Sequence, residues 1–480
     1  MIIGCRRLYK HKLAVFQVCT LIIDNQTMIR SDGIQGFPLQ KGEHVMSIDK
    51  IERFNCCGMD VHKDILVATI GITDRSTLIT RYIQQTFNSF NSDLCRLCDW
   101  LASHHCSEVC MESTGKYWIP IYNVLEERGF TVCLAHPKYT KAIKGKKTDK
   151  KDSKWICDLY KHDLVRGSFI PPKEIRELRD ISRYYHNLIG MNSSESNRYQ
   201  NCLTVSNLGI GSIFTDVNGK SATRVMEAVL AADDPNDISD EELLKLVHKS
   251  CKKKDRLLDA VRGCRIESDQ RFKMREIQKH KEELDQHLAS CIAEMFKRAS
   301  PFFHQFLHIV EIVGISLLSA ILIISEIGVD MSVWEDARHL CSWAGLTPGN
   351  NESANKKKST RITKAGQYLK PLLVQCTLSA IKDPNGYFGI KYRRIRKRRG
   401  HKKAIIAIAR MMLICIYHMI LTGESFHPSD YDELMNPKPR KPRELTIESA
   451  VDFLKSSGAD IDAIIATLKE APPDQITVQS

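Results

Sequence analysis

Apolar residues come in short strand-like runs at the front of the chain and at helical spacing behind it. From Cys56 the text reads CCGMDV, a polar break at HKD, then ILVATIGI, which predicts strand, turn and strand rich in β-branched residues. A third strand is expected over the apolar group from Leu78 to Ile83. Asn91 or Ser92 is positioned to cap a helix with Leu94, Leu97, Cys98 and Leu101 on one face. A strand from Glu108 to Met111 follows, then a turn at Ser113, a helix from Tyr117 to Arg128 stopped by Gly129, and a strand from Thr131 to Ala135.

Three strands, a helix, then alternating strand and helix is the order of an RNase H-like α/β fold. In that fold, acids from the first and fourth strands converge with acids from a late helix. From Asp152 onward the pattern turns helical, with amphipathic text at 156–160 and from Glu174 to Ile189. Glycines break it between Leu208 and Lys220, and Asp233 to Asp240 reads as an acidic loop. A long helix is expected to begin at Lys252 to Lys254. Its Met274, Ile277, Leu284, Leu288, Cys291 and Met295 fall at alternating three and four spacing, with Lys281 at one seam position. That seam fits either a coiled-coil dimer strut or packing within the chain. Farther on, Ile312 to Ser316 is a glycine turn before an apolar helix from Leu317 to Ile327, ended by Gly328. Such a turn can offer backbone N–H groups to phosphate, though an ordinary helical hairpin explains it equally. Helices are expected from Asp336 to Leu346 and from Lys364 to Ile381, with TPGNNESANKKKSTR between them as a polar, basic loop.

Composition sharpens this picture in three respects. Seventy Lys and Arg against 57 Asp and Glu leave a net charge of +13, and the excess is clustered, which favours a polyanionic partner. The densest cluster is KYRRIRKRRGHKK from Lys391 to Lys403, which has no acid and includes Arg394, Arg396, Arg398 and Arg399. Unbalanced cations repel each other unless a polyanion is present, so nucleic-acid contact through phosphates is expected there. Seventeen scattered cysteines argue against a disulfide framework and for a reducing cytoplasm. Zinc is a weak alternative at Cys95, Cys98, Cys106 and Cys110, because Cys98 shares a helix face with Leu94 and Leu101. The longest apolar segments, Leu13 to Ile23 and Ile312 to Ile324, fall short of the roughly 18 to 20 residues of a membrane span, and no membrane association is expected.

The candidate chemistry lies in the acids. Asp149 and Asp152 sit three apart in GKKTDKKDSK and share one helix face. Like charges that close repel, so keeping both beside Lys146, Lys147 and Lys150 points to a divalent cation near nucleic-acid phosphate, although a solvated charge run has the same look. Asp60 in CCGMDV and Glu112 in EVCMES each stand where a buried strand should end. Four acids from two strand ends and one helix make a plausible Mg2+ or Mn2+ cage.

GMDVHKD, MESTGKYW, HPKYTKAIKGKKTDKKDS and, downstream, SEIGVDMSVWEDARHLCSWAGLTPGNNESANKKKSTRITKAGQYLKPLLVQ together resemble one family. It is the DEDD transposases of insertion sequences, named for insertion sequence one hundred and ten, and the likeness runs from about Cys57 to Gly423. The resemblance implies a resolvase-like RNase H domain at 51–180, a helical and coiled-coil region at 181–300, and a mostly helical transposase domain at 301–425. Residues 1–50 are expected to be a poorly ordered extension, with Met46 an alternative start, and 426–480 a tail behind a Pro-rich linker. By position, Asp60, Glu112, Asp149 and Asp152 match the family's metal-binding acids and Ser353 its serine nucleophile, with Ser359 in reserve. Lys356, Lys357, Lys358 and Arg361 would steady the phosphate. The implied partners are double-stranded DNA at element ends and target, a noncoding guide RNA, and further copies of the chain in a dimer or tetramer. One departure is Val313-Gly314, where the family has Pro-Gly. A water-using, metal-dependent nuclease and an inactive nucleic-acid binder are the alternatives.

Overall fold

A computed structural model describes residues 51–436, except 113–114, 137–147, 218, 250, 252, 350, 354–355 and 360. The expectations for the N-terminal extension, the turn at Ser113, Lys146, Lys147, the Pro-rich linker and the tail beyond it fall outside the described residues.

Strands β1 (Asn55–Val61), β2 (Ile65–Thr73) and β3 (Thr80–Asn88) form an antiparallel meander. Helix α1 (Asn91–Ser103) leads to β4 (Glu108–Glu112), which lies parallel to β1, and helix α2 (Trp118–Glu127) leads to β5 (Thr131–Ala135), parallel to β4. The order β3-β2-β1-β4-β5 is a mixed sheet that fits an RNase H-like α/β domain. Alternation sends Met59, Val61, Val109 and Met111 to one face, where they pack with Leu94, Leu97 and Leu125 from the two helices. The other face carries Cys56, Gly58 and Cys110 and is covered by α3 (Asp149–Lys161). Cys98 and Cys106 belong to the first core and Cys110 to the second, so the sheet itself divides the cysteines of the zinc alternative.

The third strand begins two residues later than the apolar group and runs on through Gln84, Gln85 and Thr86 to Asn88. Its outer edge is unpaired in the sheet, so its exposed side chains are polar and the apolar pattern stops short of its end. Phe90, not Asn91 or Ser92, occupies the cap position of α1, and Asp93 instead accepts hydrogen bonds from Asn88.

Two long helices, α4 (Lys173–Val205) and α6 (Ser268–Ala299), form an antiparallel pair, fastened from Arg298–Glu177 at one end to Gln278–Tyr199 at the other. The α6 seam is therefore occupied inside the chain. Leu284 is buried, Leu288 and Cys291 pack into the C-terminal core with Met295, and Met274 and Ile277 enter a separate core at the far tip. Lys281 is tolerated at the seam because its ammonium donates to Ser196 Oγ at 2.5 Å and Asn192 Oδ1 at 3.3 Å. The tip core is built around α5 (Lys220–Ala231) and shorter helices. The long helix starts sixteen residues later than Lys252, since the basic run gives way to a short helix (Asp255–Val261) and a turn at Gly263 with φ +75°.

The C-terminal unit packs α7 (Phe303–Val310), α8 (Leu317–Ile327), α9 (Ala337–Trp343), α10 (Leu369–Ala380), α11 (Tyr387–Arg399) and α12 (His401–Thr422) into one core, which also takes Ile175, Leu178 and Tyr185 from α4. Helix α12 is the longest apolar stretch among the described residues and is long enough to cross a membrane. Here it is the central core helix, with Ala404, Ile408, Met412, Leu413 and Ile416 buried. The interruptions at Arg410 and His418 keep it from standing out in the text. Between α9 and α10 the expected loop is a two-stranded hairpin, β6 (Asn351–Ser353) and β7 (Lys356–Ser359). Polar text hid it, because NES and KKKS carry no apolar residue whose alternation could mark a strand.

The two halves are locked by Arg183, whose guanidinium donates to both carboxylate oxygens of Glu326 at 2.8 and 2.9 Å, and by Arg179, which donates to the Ser325 and Glu326 carbonyls. Phe169 completes the lock against Trp334 and Trp343. The Glu326 side chain is 6 % exposed and Arg183 39 %, so deleting the carboxylate would leave Arg183 to solvent while Arg179 keeps its backbone carbonyls, a loss on the order of 1–3 kcal/mol.

The closest approach in the sheet domain is at Gly58. A Cβ there would lie 2.2 Å from the Cys157 nitrogen and 2.4 Å from the Ser153 carbonyl oxygen, both backbone atoms of α3. Gly58→Ala should cost about 1–3 kcal/mol in denaturant unfolding by forcing α3 off β1. Gly190→Ala, where the added methyl meets nothing within 4 Å, should be neutral or slightly stabilising.

Candidate metal centre and nucleic-acid interface

Pleating places Cys56, Gly58, Asp60 and His62 on the α3 side of β1. Met59 pairs with Met111, so the next rung sets Glu112, at the end of β4, beside Asp60 on the same face. Helix α3 brings its first turn to this rim. Thr148 caps it by accepting from the Lys151 N–H, and Asp149 and Asp152 occupy the first turn, where the helix dipole favours negative charge. The helix is pinned by a polar relay: Thr69 Oγ1 and Ser153 Oγ are 2.7 Å apart, and Gln84 donates to both and to the Lys150 carbonyl. The i, i+3 spacing thus brings Asp149 against Asp60 and His62, with Asp152 near enough to act on the Asp60 charge; Glu112 and Asp152 are not in the close donor group among the described residues.

His62 Nε2 lies 3.3 Å from Asp60 Oδ2 and 3.5 Å from Asp149 Oδ1, and one donor atom from each residue falls within 4.8 Å of the others. Asp60 is 12 % exposed, whereas Asp149 is half exposed. Burial pushes the Asp60 carboxyl above the ordinary carboxylate range, the charges of Asp149 and Asp152 push it further, and His62 opposes them. This donor set, oxygen-rich with one imidazole and repulsive when empty of cations, fits a hard divalent ion. His62 was the residue that the acid motif concealed; its signal was the two-residue step from Asp60, which alternation turns into a shared face.

The remaining candidates sit elsewhere. Ser353 ends β6 and pairs with Lys356 across the hairpin turn, with Lys357 and Lys358 continuing β7. Ser359 Oγ accepts from the Arg361 N–H, and Arg361 is exposed. Lys150 is exposed on α3. The glycine turn before α8 is a packed helical connection: a Cβ on Gly314 would come within 2.5 Å of the Cys376 carbonyl oxygen.

The basic run is helical instead of irregular. It forms the C-terminal half of α11, then turns at Gly400, with φ +79°, into α12. Tyr392 is buried and shares a 2.7 Å hydrogen bond with His401 Nδ1, while Lys391 is paired with Asp430 at 2.6 Å. The fold thus supplies one carboxylate that the local text lacks. Arg394, Arg396, Lys397, Arg398, Arg399, Lys402 and Lys403 remain exposed, and none is in an ion pair among the described residues. Spread around the exposed helix instead of lining one stripe, they suit sequence-independent phosphate contacts.

The Asp60 shift fixes the sign of one pH effect. A carboxyl whose folded pKa is raised binds protons more readily folded than unfolded, so its contribution favours folding at low pH and turns unfavourable as pH rises through the raised value. Asp60→Asn should therefore raise the melting temperature of the metal-free protein at pH 7, and the gain should vanish below the ordinary Asp range. Added Mg2+ should raise the melting temperature of the wild type, and the same variant should lose most of that rise.

Two family models match the chain, a DEDD transposase model of the IS110 type over residues 57–207 and the Transposase IS116/IS110/IS902 family over residues 308–393. No curated protein matches it. The first match spans nearly all of the sheet, α3 and the whole of α4, the second the C-terminal unit from the end of α7 through α8, α9, the hairpin and α10 to the start of the basic run in α11. The order of the two blocks, and an acid group of the kind a metal-dependent DEDD enzyme needs, lead to one conclusion: the chain belongs to the IS110 family of transposases and is a DNA transposase of an insertion sequence.

Proposed function

We propose that this transposase cuts and rejoins double-stranded DNA at element ends and target through a phosphoserine intermediate on Ser353, assisted by a Mg2+ or Mn2+ centre at Asp60, Glu112, Asp149 and Asp152. The observation that carries the reading is the meeting of Asp60 with Asp149 at the rim of β1, within a chain matched by both family models. A bound divalent ion there supplies charge neutralisation and a lower pKa for an attacking hydroxyl. The chain's own residues do the rest. The Ser353 oxygen forms a bond to phosphorus as the DNA 3′ oxygen leaves as a hydroxyl, and Lys356, Lys357, Lys358 and Arg361 balance the charge on the phosphate. The bond energy is kept in the ester, and reversal of the step rejoins the strand.

The domain roles follow this scheme: 51–180 holds the acids, 181–300 is a helical arm, and 301–425 carries the serine hairpin and basic helix. Acids and serine are separated by about two hundred residues and come from different subunits of a dimer or tetramer. A noncoding RNA pairs with donor and target DNA, and the exposed cations of α11 and α12 hold nucleic-acid backbone. The free thiols of the described cysteines suit a reducing cytoplasm.

Two measurements test this. With element-end DNA, wild-type protein should give a denaturation-resistant protein–DNA adduct, and Ser353→Ala and Asp60→Asn should each lose it while keeping DNA binding within a few-fold; mixing the two dead proteins should restore part of it. Strand exchange by Ser353→Ala would leave a water-using nuclease as the better account. Replacing Arg396, Arg398 and Arg399 with Gln should reduce the slope of log affinity against log salt by about 2 to 3, and an unchanged slope would remove this helix from the interface.

A further inference from the structure

We propose that His62 is a nitrogen ligand of the metal centre, a donor additional to the four carboxylates; this rests on the metal-site reading above. Strand alternation puts His62 on the face of Asp60, and its Nε2 points between two carboxylates from different elements, 3.3 Å from Asp60 Oδ2 and 3.5 Å from Asp149 Oδ1. The ring is hydrogen-bonded to Asp60 and within ion-pair reach of Asp149, so it is not committed to one carboxylate. This nitrogen stands at comparable, slightly long distances from both, as the third corner of a donor triangle no wider than 4.8 Å. An ion within that triangle would draw all three inward.

The surroundings agree with this role. The His62 side chain is 44 % exposed, so packing does not require the ring. It lines an open cleft with Lys63, Ile65, Tyr117 and Asp149, which leaves the cation accessible to a phosphate from solvent. The turn behind it is held by the His62 N–H donating to the Ile65 carbonyl at 2.9 Å, which fixes the backbone from which the ring projects. An imidazole among carboxylates shifts preference from Mg2+ towards Mn2+ and the later divalent metals. His62 therefore tunes which ion the centre takes, a property that the carboxylates alone leave to availability.

The test uses the full-length protein with Mn2+ as the probe and reads the bound ion by pulsed electron paramagnetic resonance. Wild-type protein should show modulation from a directly bound imidazole nitrogen. His62→Gln should lose it and bind Mn2+ about ten-fold or more weakly, with Mg2+ affinity changed much less. His62→Asp, which restores an oxygen donor, should recover Mn2+ binding without nitrogen modulation. Manganese bound without nitrogen coupling, or with coupling that survives in His62→Gln, would overturn the assignment of His62 and leave the carboxylate centre standing. A wild-type protein that binds no Mn2+ would overturn both.

Discussion

The contact between α3 and β1 at Gly58 is the constraint on which the site depends. No side chain separates the two backbones there, so the helix lies directly on the strand and its first turn reaches the strand's end. The Thr69, Gln84 and Ser153 relay fixes its rotation, and the cap at Thr148 fixes where it starts. Asp149 is consequently delivered to the rim of the sheet, beside Asp60 and His62. Burial, and after it the charges of Asp149 and Asp152, hold the Asp60 carboxyl above the ordinary carboxylate range, and a cation would relieve both. Close packing at one glycine thus becomes electrostatics two residues farther along the strand, at Asp60.

The second organising feature is the helix pair α4 and α6. Its base is built into the C-terminal core through Ile175, Leu178, Tyr185 and Met295, and its tip carries an independent core. Because α4 follows directly on the sheet domain and is clamped to α8 through Arg179, Arg183 and Glu326, it ties the acid centre to the serine-bearing unit as a stiff element. The apolar seam of α6 is used within the chain, against α4 and the two cores it joins.

Much of this was legible in the residues, and the failures have physical causes. Strands β1, β2 and β4 announced themselves because both faces of the sheet are covered there, which leaves uninterrupted apolar runs. Strand β3 was expected but only over its apolar first half, since its second half at the sheet edge is polar, and the β6–β7 hairpin, with polar text throughout, read as a loop. The acids were found by their type and spacing. His62 was passed over because a histidine's role depends on a neighbour, Asp149, that lies 87 positions away in the chain. The same limit applies to Lys391 and to Lys281. Local text shows a bare cation, and only the fold reveals the Asp430 carboxylate or the Ser196 hydroxyl that receives it.

The central claim is that the Gly58 contact lays α3 on β1 so that Asp149 meets Asp60 and His62 at one rim, the donor group proposed to hold a cation. Anomalous diffraction from crystals of the full-length protein grown with Mn2+ tests it most directly. The account predicts a manganese peak at the rim of the sheet, within coordination distance of Asp60 and of the first-turn carboxylates of α3. A peak held by other residues, with Asp60 and Asp149 bound only to water, would contradict it.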